Sequence, residues 1–136
     1  MVNDRQKLGQ INVLSAGDSW AWPLALERIF KPRGVNLLLA KNSNDLVNIL
    51  EQMRIHATIV DLDDQPNGLA AIKIVRMAFP MLPCLVLSRT ASQSILDRAL
   101  QLDVFSVIDR PDDLEILLEQ LDRMFMKKYK MDIFSN

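Results

Sequence analysis

Five short apolar runs, each followed by a segment of helical spacing, constrain what this chain can fold into more than any other feature. The runs are INVLSAG (11–17), VNLLLA (35–40), HATIVDLD (56–63), CLVLS (84–88) and VFSVID (104–109). They have strand length, and they are apolar on both faces, as strands of a parallel sheet covered by helices must be. Between and after them lie WPLALERIF, LVNILEQM, LAAIKIVRMAF, SQSILDRALQL and LEILLEQLDRMFMKKY, with apolar residues recurring at helical intervals. Punctuation agrees with this division. Asp18 or Ser19, Ser43 or Asn44, Ser92, and Asp112 or Asp113 stand where N-caps belong. KPRG stops the first helix, Gly68 precedes the third, and Pro80 and Pro83 end it. Strict alternation of strand and helix predicts an α/β fold with a doubly wound, five-stranded parallel sheet. Residues 130–136 are expected to fray.

With 136 residues the chain suits one domain spanning 1–136, its core at about 11–126. Sixteen basic and 17 acidic side chains leave a formal charge of −1, which supplies no field for capturing nucleic acid phosphates. Direct nucleic acid contact is disfavoured. No apolar run approaches the ~20 residues needed to cross a bilayer, and MVNDRQKLGQ has no signal-like stretch. The single cysteine, Cys84, cannot form an internal disulfide and reads as a buried thiol. A cytoplasmic setting fits.

In a doubly wound sheet the useful surface is the crevice at the carboxyl ends of the strands. Those ends carry Asp18, Asp61, Ser88 and Arg110, so carboxylates, a hydroxyl and a guanidinium can meet at one edge. An aspartate at a strand end is often only a polar cap. The convergence raises Asp61 above that reading. There is no Gly-rich phosphate loop and no nucleophile elbow, which argues against an independent enzyme. His56, the only histidine, lies at the far end of its strand and reads as surface or structural. Trp20 and Trp22 flank the first helix, and Met124 and Met126 read as core filling.

Four positions make the chain resemble the receiver domain of two-component response regulators over about residues 11–126. TIVD ends in Asp61, CLVLS in Ser88 and VIDRP in Arg110-Pro111, while Gly68 matches the glycine before the third helix. The resemblance implies a flavodoxin-like sheet of strand order 2-1-3-4-5. It casts Asp61 as phosphoacceptor, Ser88 as the hydroxyl that follows the phosphoryl group, and Arg110 in place of the usual lysine. Mg²⁺ is the implied cofactor, with Asp61, Asp63 and Asp18 as candidate ligands, Asp63 through its carbonyl. The implied partner is a sensor histidine kinase or another signalling protein, with a homodimer through the fourth helix, fifth strand and fifth helix, and Arg110-Pro111 is a candidate cis bond.

Departures from the family pattern cluster at the same edge. Ser15 and Ala16 stand where receivers carry an acidic pair, Arg110 replaces the lysine, the loop from Asp61 to Gly68 is a residue shorter, and Val107 takes an aromatic position. Fewer anionic oxygens weaken Mg²⁺ binding, and a planar guanidinium needs different room from an ammonium. The expectation is a phosphorelay receiver with weakened phosphorylation. The alternative is a pseudo-receiver, an interaction module that works without phosphorylation.

Overall fold

Helical and strand segments fall close to the positions set by the apolar pattern in the computed structural model, which describes residues 10–17, 22–64, 67–109 and 114–134. In chain order these are β1 (Ile11–Ala16), α1 (Trp22–Phe30), a 3₁₀ turn (Lys31–Arg33), β2 (Val35–Ala40), α2 (Ser43–Gln52), β3 (Ala57–Asp61), α3 (Asn67–Ala78), β4 (Cys84–Ser88), α4 (Gln93–Gln101), β5 (Ser106–Asp109) and α5 (Leu114–Tyr129). Every strand pairing is parallel, and the sheet order is β2-β1-β3-β4-β5. That is the flavodoxin-like order that the resemblance implied.

Two cores lie on the two faces of the sheet. Val13, Ile59, Leu85 and Ile108 pack under α1 and α5 through Leu26, Phe30, Leu117 and Phe125. On the other face Leu14, Val60 and Val86 pack under α2, α3 and α4 through Leu46, Leu50, Ile72 and Ala99. Residues of β1, β3 and β4 are buried along their whole length, whereas edge strand β2 exposes Asn36 and Leu39. Continuous apolar runs are therefore the central strands, as burial on both faces requires.

Several local expectations are corrected. The cap of α2 is Asn42, not Ser43 or Asn44: its backbone is extended, and its side chain accepts from the Asp45 N–H at 2.9 Å. The Asp45 carboxylate reaches back to the Lys41 N–H, so both ends of the turn are satisfied. Ser92 caps α4 as its position suggested. Gly68 falls in the first turn of α3 rather than before it, and His56 precedes β3 rather than starting it. Caps at Asp18, Ser19, Asp112 and Asp113 lie outside the described residues, as does Trp20.

Residues 130–134 do not fray. Lys130 takes a left-handed backbone, with φ 58°, that ends α5, and the Met131 N–H then bonds to the Phe125 carbonyl. Phe134, only 4% exposed, comes within 5.3 Å of Phe30 and 5.2 Å of Phe125, centroid to centroid. Burial of Phe134, on the order of 2 kcal/mol, acts together with the packing of Met131 and Ile133 against the same core to offset the entropy of ordering these residues. At the amino-terminal pole of the sheet His56 is buried and structural. Its Nδ1 accepts from the Asn12 N–H, and the Tyr129 hydroxyl donates to its carbonyl at 2.6 Å.

Candidate active site

Asp61 is the last residue of β3, and the parallel register brings the ends of the neighbouring strands level with it. Val60 pairs with Ala16, Asp61 with Leu87, and Ser88 with Asp109. Asp61 is 6% exposed, so its carboxylate sits at the floor of the crevice. The chain beyond it folds back on it. Asp61 Oδ1 accepts from the Asp63 N–H at 3.0 Å and the Asp61 carbonyl from the Asp64 N–H at 3.3 Å. These bonds are local, as expected of an aspartate leading a turn. They help to hold Asp61 in place.

Asp63 has a different task. Its carboxylate accepts from the Arg89 N–H at 2.8 Å and the Thr90 N–H at 3.0 Å, tying the loop after β3 to the loop after β4. Ser88, also buried, points its hydroxyl at Asp63 Oδ1 from 3.5 Å, which is long for such a bond. Asp61, Asp63 and Ser88 thus meet at one edge. Asp18, Arg110 and Pro111 lie outside the described residues.

The end of β1 divides the two positions that sequence spacing treated as a pair. Ser15 lies level with Ile59, on the face under α1 and α5, is fully buried, and its Oγ has no hydrogen-bond partner among the described residues. Ala16 and Gly17 border the crevice instead. Gly17 has φ +118°, and a Cβ built on it would come within 2.7 Å of the Asp61 Cβ. Its lack of a side chain is therefore required twice, by backbone conformation and by contact. Gly68 is similarly constrained, because a Cβ there would meet the Asp61 carbonyl oxygen at 2.6 Å.

Gly17, Lys41, Asp61 and Asp64 border a cleft of about 20 Å³, room for about one water molecule. Gly17 as a wall of this site was not legible in the sequence. Its only signal was its place at a strand end, and neither its φ nor its approach to Asp61 is a local property.

For a divalent cation the described residues offer the carboxylates of Asp61 and Asp64 and the carbonyl of Asp63. Ala16 and Gly17 offer no anionic oxygen, and the Asp63 carboxylate already serves two backbone donors. Among the described residues no three His, Cys, Asp or Glu side chains are grouped to hold a metal. This set fits Mg²⁺ poorly, since the ion needs near-octahedral oxygens at short range. Cys84 supplies no chemistry either: burial pushes its thiol up to about 11.

No protein-family model matches the chain. A Rickettsia felis protein described as an NtrX-like response regulator is 24% identical over 119 residues, covering 83% of this chain and 25% of that protein. The chain thus spans about a quarter of the length of the curated relatives it matches. A response regulator receiver protein from Pseudomonas putida superposes with a TM-score of 0.74 at 26% identity, over 84% of this chain and 97% of that one. A Burkholderia pseudomallei response regulator solved with a phosphorylated aspartic acid, calcium ion and citrate superposes with a TM-score of 0.70 at 23% identity, over 82% of this chain and 66% of that one. Among the described residues no helix is long and apolar enough to cross a membrane. Sheet order and sequence similarity agree: the chain has the receiver fold and is similar in sequence to response regulators.

Proposed function

We propose that this receiver domain carries its phosphoacceptor at Asp61 and that phosphotransfer there is weakened. The observation that carries the reading is the end of β1, where Ala16 and Gly17 border the cleft beside Asp61 and offer no anionic oxygen to a cation. In the reaction a carboxylate oxygen of Asp61 attacks the phosphorus of a phosphohistidine, the P–N bond breaks, and an acyl phosphate forms. A bound divalent cation would neutralise the gathering oxygens. Asp61 and the Asp63 carbonyl are its proposed ligands here, with Asp18 as a third. Calcium accompanies the phosphorylated aspartic acid in the Burkholderia structure.

Arg110 follows the last residue of β5, which pairs with Ser88. We place its guanidinium within salt-bridge or water-bridged reach of Asp61, because a buried carboxylate is costly without a counter-charge. Ser88 then follows the phosphoryl group through its hydroxyl. A sensor histidine kinase or another signalling protein is the proposed partner, in the cytoplasm, with a homodimer through α4, β5 and α5. The second reading is a pseudo-receiver that binds partners without covalent change. The Asp63 bonds favour it, since they hold the β4 loop in place without a phosphoryl group.

Intact-mass measurement with acetyl phosphate and Mg²⁺ separates the two. Losing one stabiliser of transition-state charge costs roughly 100-fold or more in rate. Slow gain of one phosphoryl group, removed by Asp61→Asn, is the expected result. Rapid stoichiometric uptake would make this an ordinary phosphorelay acceptor, and no uptake at saturating donor would establish the pseudo-receiver.

A further inference from the structure

Opposite the crevice, at the amino-terminal pole of the sheet, a groove of about 490 Å³ opens between the α3–β4 loop and the last turn of α5. Its floor is Val104 and Phe105, and one wall is the loop of Pro80, Met81 and Leu82. Arg76 makes this wall rigid. Its Nη1 donates to the carbonyls of Pro80 at 2.6 Å and Leu82 at 2.9 Å, and its Nε to that of Leu102 at 2.9 Å. One guanidinium therefore ties both loops that border the groove, and Pro80 and Pro83 stiffen the wall further. A preformed groove loses little conformational entropy when something binds.

The surface of that wall is apolar and exposed. Met81 is 73% exposed, and Met77 and Phe79 stand beside it on the end of α3 and the same loop. Of these, Met81 borders the groove itself, and a large exposed apolar side chain on the wall of a groove suits an interaction surface. The charge is one-sided: Arg76, Lys127 and Lys128 border the groove against Asp103 alone, three positive groups less one negative, or +2. Lysines also suit the carboxyl end of a helix. The dipole explains their sign but not a tied, methionine-walled groove beside them.

We infer that this groove docks an acidic peptide segment of a partner protein, with an aliphatic or aromatic side chain lying on Met81 and Phe105 and carboxylates meeting Lys127 and Lys128. Charge complementarity selects the acid, and the apolar floor selects the anchor. The inference is independent of the chemistry at Asp61.

The test uses a phage-displayed library of random dodecapeptides panned against the whole chain, followed by fluorescence anisotropy with the enriched peptide. The expected result is enrichment of peptides with Asp or Glu flanking an apolar residue. Their affinity should fall tenfold or more in Lys127→Glu/Lys128→Glu, and separately in Met81→Asp, while Asp61→Asn leaves it unchanged. Circular dichroism melting confirms that these surface variants fold. No enrichment, enrichment without acidic residues, or equal binding by the variants overturns the inference. A concentration-dependent dimer that Lys127→Glu/Lys128→Glu abolishes also overturns it, by assigning the groove to a second copy.

Discussion

Ser15 holds a hydroxyl inside the sheet with no bonding partner among the described residues, while Gly17, two residues on, holds no side chain where one would strike Asp61. The two positions carry opposite predictions. A buried unsatisfied hydroxyl costs about 1 kcal/mol, so Ser15→Ala should raise the melting temperature by roughly 3–4 °C. A fall of more than a degree in differential scanning calorimetry would mean that the hydroxyl has an unseen partner. Ser15→Asp should destabilise strongly, because the new carboxylate lands under α1 and α5 without a counter-charge. An acidic ligand is therefore better restored at Ala16. Spacing alone had set Ser15 and Ala16 side by side as equivalent candidates, yet alternation along a strand sends them to opposite faces.

At the scale of elements, α5 ends in a segment that returns to the core. Lys130 turns the chain and Phe134 fills the space between Phe30 and Phe125. Phe134→Ala should cost about 2 kcal/mol, the value of burying one aromatic side chain. The full cost of a core cavity does not apply, because the segment can lift away instead of leaving a void. Urea unfolding measures the loss, and limited proteolysis should show faster cleavage between 130 and 134. Unchanged stability together with unchanged cleavage would mean that Phe134 contributes no docking. Position at the end of the chain predicted fraying. Phe134 was visible as an isolated aromatic, but its acceptor site is built from two helices distant in sequence.

Across the whole molecule, His56 links acid stability to the pole opposite the crevice. Burial, with Arg54 nearby, holds its imidazole below the ordinary value of 6.5, and Nδ1 must stay unprotonated to accept from Asn12. The unfolded chain therefore takes up a proton near 6.5 while the folded chain does not. Stability from this group is full above 6.5 and declines as the pH falls from there towards the folded-state value. Denaturant titrations between pH 7 and 5 should show that decline, reduced in His56→Gln, whose amide oxygen can still accept from Asn12. An equal slope in both proteins would place the effect elsewhere. The alternation of strands with helices on both faces and the place of Asp61 at a strand end were legible in the sequence by itself, because hydrophobic period and chain order are one-dimensional properties, whereas the strand order came only from the family resemblance. Only the tertiary structure decided that Gly17 rather than Ser15 faces Asp61, that the Asp63 carboxylate ties two loops, and that Arg76 braces a groove. Each of those depends on register between strands or on contacts far apart in sequence, where shifting a strand by one residue exchanges the side chains on its two faces.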